Sequence, residues 1–235
     1  MFGFQLVTAA LAGASLSAAV CLILWKRRVR KLAAAPEFAP PPELTEWDRR
    51  FMAYHEAGHA VCSRCLPERP PLLRITISPC DEAFGMVRTS QSLNHNETRR
   101  SMCSTLAVLL AGRLAEELFL NETTTSGIHD FAAAEQLAAD MVCKFGMGKS
   151  TGVAVPPPDF PVSDELLHTI NTDIRQLVLD AEAEAREALS THREIVEKLA
   201  ARLLSEGTLD AGEIDHFFSD AGCPALPKGT PARKG

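Results

Sequence analysis

The sequence predicts an α+β fold, predominantly helical: a helix bearing an HExxH motif, a small β-sheet and a C-terminal helical bundle, preceded by one transmembrane helix. Three observations predict it. An uncharged run from Phe2 to Trp25 opens the chain. Two short runs rich in β-branched and apolar residues, Leu72–Ser78 and Phe84–Thr89, read as a pair of strands. Nearly everything after Glu97 carries the amphipathic period of a helix.

Taken in order, the first run would span about 36 Å as a helix, enough for a hydrocarbon core of roughly 30 Å. Lys26-Arg27-Arg28-Val29-Arg30-Lys31 follows it, and no basic side chain precedes it. The positive-inside rule then places the rest of the chain on the cytoplasmic side, or its organellar equivalent. A cleaved secretory signal would carry its charge in front of the apolar run. The reading is therefore a single-pass anchor over 1–25, a basic flank and Pro/Ala-rich linker over 26–44, one folded domain over 45–221 and a disordered Pro/Gly/Lys-rich tail over 222–235.

Within the domain, Thr45 with Asp48 three residues on forms a helix start, and Leu66-Pro67 stops that helix after Cys65. The two strands follow. Helices are expected over 97–120, 130–145, 163–190, 192–205 and 211–219, with Thr191-x-x-Glu194 as a capping box between the long pair.

Hydrophobic residues make up 46% and charged residues 23%, the balance of an ordinary folded chain. A net charge of -6 argues against a nucleic-acid partner. The seven cysteines are odd in number and show no disulfide spacing. They read as small buried hydrophobes in a reducing compartment. Cys62 reads as apolar packing, and Cys65 has no assigned role.

The chemistry lies in His55-Glu56-Ala57-Gly58-His59. Residues four apart on a helix are separated by about 40° around its axis, so both imidazoles leave one face and can bind one Zn²⁺. Glu56 lies to one side of that face, where it can take a proton from a zinc-activated water without being a ligand. Gly58 is a poor helix-interior residue, which implies that something packs closely on the backbone there. A catalytic zinc site needs a third protein ligand. The polar turn Thr123-Thr124-Thr125-Ser126-Gly127-Ile128-His129-Asp130 supplies the best segment, with Asp130 or His129 as the ligand.

Several blocks then resemble, in order, the peptidase domain of FtsH-type membrane zinc proteases. AYHEAGHAV (53–61) resembles the family's zinc helix, and RITISP (74–79) with FGMV (84–87) its strand pair. LAGRLAEELF (110–119), residues 123–148 and LLSEGTLDAGEI (203–214) resemble later family blocks. The resemblance covers about residues 47 to 218. It implies His55, His59 and Asp130 as zinc ligands and Glu56 as catalytic base. It also implies a strand edge for extended substrates and assembly as a hexamer. The family carries an ATP-driven module between anchor and peptidase domain, and the stretch from Trp25 to Trp47 is too short to hold one. Gly146-Met147-Gly148-Lys149-Ser150-Thr151 is Walker-like, but Cys143 stands where the phosphate loop needs a glycine.

Glu116 and Glu117 follow Arg113 in the same block. One of them is a candidate to orient a zinc-bound imidazole; the other reading is a solvated face with an ion pair. His95, His168, His192 and His216 read as solvated, as does the acidic stretch 180–187. The function expected is a membrane-anchored zinc metalloendopeptidase acting on unfolded or delivered protein and peptide substrates. Its partner is a second copy of itself or a separate FtsH-type ATPase. The rival reading is a peptidase-like regulatory or assembly subunit of such a protease complex.

Overall fold

The computed structural model describes residues 44–78, 85–90, 96–153 and 162–223. The expected anchor, linker and most of the expected tail lie outside them. Among the described residues no helix is long and apolar enough to cross a membrane.

Six helices and three short strands make up the described part: α1 (Glu46–Cys65), β1 (Leu72–Thr76), β2 (Met86–Thr89), α2 (Arg99–Leu120), α3 (Ile128–Cys143), α4 (Asp164–Thr191), α5 (Arg193–Glu206), β3 (Thr208–Asp210) and α6 (Ala211–Asp220). The fold is thus predominantly helical with a small sheet, as expected. At the start of α1 the Thr45 hydroxyl accepts the Asp48 N–H, while the Asp48 carboxylate accepts the Thr45 N–H, a complete capping box. At its end Leu66 leaves the helical region ahead of Pro67.

The expected pairing of the two strands forms, and a third strand extends it. The sheet order is β2-β1-β3, with both pairs antiparallel, so β1 is the central strand. Ile75 faces Val87 on one side and Leu209 on the other. The edge available to a further strand is therefore on β2 or β3, not on β1. A difference from expectation lies between α4 and α5. Thr191 ends α4 and only His192 intervenes, so Thr191 cannot adopt the extended backbone of a cap and the expected box does not form.

The core forms where α1 lies on α2, α4 and α5. Ala57, Ala60 and Val61 of α1 are fully buried with Ala107 and Ala111 of α2, Ala185 of α4 and Leu199 and Leu203 of α5. Gly58 explains the close approach: a methyl group there would come within 2.6 Å of the Ala111 carbonyl oxygen and 2.7 Å of the Ala115 Cβ. Ile214 and Phe218 of α6 close the bottom of the core. Arg64 reaches Asp215 at 3.0 Å and lies over the Phe218 ring. Cys62 is fully buried, as expected. The packed part reaches Cys223, buried with its Sγ 3.5 Å from that of Cys65.

The Walker-like string is a turn pinned to α4. The Asp173 carboxylate accepts the Ser150 N–H at 2.9 Å, and the Thr151 N–H and hydroxyl at 2.8 Å each. A phosphate loop leaves such N–H groups free for its ligand; here a side chain occupies them. Burial raises the Asp173 pKa, but the hydrogen bonds from Thr151 and Ser150 outweigh it and hold the carboxyl below its usual range. Bonds to a buried charge contribute about 1.5–3 kcal/mol each. Asp173→Asn, which sets an amide against these donors, is expected to lower Tm by roughly 4–8 °C for a loss of about 2 kcal/mol. Because the folded pKa is depressed, the contribution is present above the unfolded value of about 3.9 and lost as pH falls below it. The gap in Tm between wild type and variant should accordingly narrow below about pH 4, as thermal melts across pH will show.

Candidate metal centre

The site is built on the packing of α1 against α2. His55 and His59 leave one face of α1, one turn apart, and their rings stand edge to face. Each is fixed through its Nδ1. His59 Nδ1 lies 2.7 Å from the Val108 carbonyl oxygen of α2. A carbonyl only accepts, so Nδ1 carries the proton and Nε2 keeps its lone pair. His55 Nδ1 lies 2.7 Å from Glu116 Oε1, which fixes the same tautomer.

Gly112, one turn beyond Val108, admits both rings. A methyl group at Gly112 would come within 2.5 Å of His55 Nε2 and 2.6 Å of His59 Nε2. The two Nε2 atoms lie 3.0 Å apart. Asp130 in the first turn of α3 completes the group, its Oδ2 3.2 Å from His55 Nε2 and 3.4 Å from His59 Nε2. His129 next to it is exposed and outside this cluster.

Three electron-pair donors thus face one another with no hydrogen assigned between them, an arrangement that a cation resolves. A proton can take the same role. Burial lowers the His55 pKa, but hydrogen bonds to Asp130 and Glu116 overcome this and raise it to about 9. Asp130 moves the opposite way: burial raises it, and the bonds to His55 and His59 hold it far below the usual carboxylate range. The spacing also fits a metal. Donors about 2.0–2.1 Å from a tetrahedral zinc ion lie about 3.3–3.4 Å from one another, and the three edges here are 3.0, 3.2 and 3.4 Å. Two imidazole nitrogens and one carboxylate oxygen are also ligands that zinc accepts.

Glu56 is buried beside the pair. Burial raises its pKa, opposed by the charges of His59 and His55. Gly85, just before β2, approaches its carboxylate so closely that an added methyl group there would overlap Oε1. The two neighbouring glutamates of α2 part company. Glu116 is buried and meets His55, whereas Glu117 is half-exposed and pairs with Arg186 at 3.2 Å and Arg113 at 3.9 Å.

Sequence reasoning did not single out Gly112, Gly85, Val108, Thr124 or Ser126. Gly112 did carry a signal, a glycine in mid-helix, which was read only at Gly58. The Val108 contact is made by backbone and leaves no trace in residue type. Ile128 and Phe131 flank Asp130 as exposed apolar side chains, and Arg113 lies over the Phe131 ring.

Comparison with known proteins places the chain in a family. A model of peptidase family M41 matches residues 42–217. The chain is similar to the ATP-dependent zinc metalloprotease FtsH of Cupriavidus metallidurans, 32% identical over 78% of this chain and 30% of the relative. It is also similar to FtsH of Thermobaculum terrenum and FtsH 4 of Sorangium cellulosum, each 34% identical over 73% of this chain and 29% of the relative. The chain therefore spans about 30% of the length of the curated relatives it matches. With the family matched over most of its length, the chain belongs to peptidase family M41.

Proposed function

We propose that the chain is a zinc metalloendopeptidase, held at a membrane by residues 2–25 with its catalytic domain on the cytoplasmic or equivalent organellar side. The observation that carries the reading is the convergence of His55 Nε2, His59 Nε2 and Asp130 Oδ2 within 3.4 Å of one another, with Glu56 buried beside them. The curated relatives are named zinc metalloproteases, which supports zinc as the ion. His55, His59 and Asp130 would hold it. When bound, zinc supplies a Lewis acid that brings a water molecule's pKa toward neutrality and polarises a carbonyl.

The chain's own residues do the rest. Glu116 and the Val108 carbonyl hold each imidazole with its lone pair inward. Glu56 takes a proton from the attacking water and returns it to the leaving amine. The β2 edge of the described sheet, next to Gly85 and Glu56, is where an extended substrate strand would add. A strand-adding substrate is an unfolded or delivered segment, so the substrates are proteins and peptides without fixed structure. Assembly as a hexamer, or with an FtsH-type ATPase partner, belongs to the same reading.

The test is cleavage of unfolded casein by the full, detergent-solubilised chain. Activity should vanish on chelation and return with zinc. Asp130→Ala should lose zinc by metal analysis, because two neutral imidazoles alone form an incomplete site. Casein cleavage that persists in metal-free protein, or an Asp130→Ala variant with full zinc, would overturn the assignment.

A further inference from the structure

The Glu116 carboxylate does more than face His55. Its Oε2 accepts the Thr124 N–H at 2.6 Å, and its Oε1 accepts the Ser126 hydroxyl at 2.8 Å and the Thr124 hydroxyl at 3.1 Å. The two hydroxyls lie 2.7 Å apart, and the Ser126 N–H donates to the Thr124 Oγ1 at 3.2 Å. Ser126 Oγ also lies 3.3 Å from His55 Nδ1. These bonds belong to the segment that follows the left-handed Asn121 at the end of α2 and leads into α3. Helix α3 starts at Gly127 with no side-chain cap, so no cap fixes the turn that presents Asp130.

One buried carboxylate thus binds α1 at His55 and, four residues before Asp130, the loop that carries the third donor. We propose that Thr124 and Ser126 are positioning residues for the metal centre: their hydroxyls, through Glu116, set the place of Asp130 relative to His55 and so set zinc affinity. The inference rests on the zinc reading above. Without the hydroxyls, Glu116 keeps His55 and the Thr124 N–H but loses its side-chain bonds to the loop nearest Asp130, so Asp130 must be ordered further when the metal binds, which weakens binding. Partners of metal-bound groups typically change affinity by about 10–100-fold when removed.

The test measures zinc affinity of the full chain by chelator competition, together with thermal melting of the metal-free protein. Ser126→Ala and Thr124→Val are expected to bind zinc about tenfold or more weakly. Ser126→Thr and Thr124→Ser, which keep a hydroxyl, are expected to restore affinity. The metal-free hydroxyl-bearing variants should melt with wild type, and the hydroxyl-free ones somewhat lower, since each loses a bond to the buried Glu116 carboxylate. Affinity within about twofold of wild type in both hydroxyl-free variants, against the tenfold expected, would overturn the proposal. So would weaker binding that the hydroxyl-bearing variants fail to rescue, since the hydroxyl would then not be what sets the loop. A wild-type chain that binds no zinc instead removes the reading beneath the proposal, a distinct outcome.

Discussion

Replacing Glu56 by Gln should slow peptide hydrolysis by about 10²–10⁴-fold, the contribution of a positioned general base, while zinc content stays unchanged. The amide keeps the shape of the side chain but cannot take a proton. Glu56 is only 6% exposed, and burial pushes its pKa upward, which means the folded protein pays to keep a charge there. A neutral amide removes that cost, so the variant's melting temperature should equal or exceed that of wild type. Three measurements decide the matter together: kcat on casein, metal content and a thermal melt. Full activity in the variant would move the base to another group.

Gly112→Ala carries the other large effect, this time on the metal. Alanine is intrinsically better than glycine in a helix by about 1 kcal/mol, yet the variant is expected to be the poorer protein. The added methyl group would lie 2.5–2.6 Å from the Nε2 atoms of both His55 and His59. Neither ring has room to retreat without breaking its Nδ1 bond to Glu116 or Val108. Overpacking of this kind costs roughly 1–3 kcal/mol, and the two lone pairs no longer converge. Zinc affinity should fall by about 100-fold or more, above the loss expected from an outer partner alone. Chelator competition checks it, and unaltered affinity would show that the rings are held less tightly than their distances imply.

What was legible in the sequence was mostly local. The Thr45–Asp48 box and the Leu66-Pro67 stop fix α1 within its own residues. The four-residue spacing of His55 and His59 places both on one helical face, whatever surrounds them. The choices the sequence left open depend on packing. Glu116 and Glu117 are adjacent and chemically identical, and only the seating of α2 on α1 points one at His55 and the other at Arg186. His129 and Asp130 are separated the same way, by the angle at which α3 begins. Strand β3 was missed because three residues between two helices carry no period, and their strand character comes wholly from pairing with β1. Asp173 gives no sign of its role in the sequence, since its partners lie more than twenty positions earlier.

That third strand has a consequence for biosynthesis. Thr76 and Thr208 share a hydrogen bond although they stand 132 positions apart. The middle of the sheet therefore waits, during translation, for nearly the last helix to be made. Until then Ile75 and Ile77, which end fully covered or nearly so, have one flank bare. The nascent chain must either be shielded over that interval or form its helices first, with the sheet zipped last around an already assembled bundle.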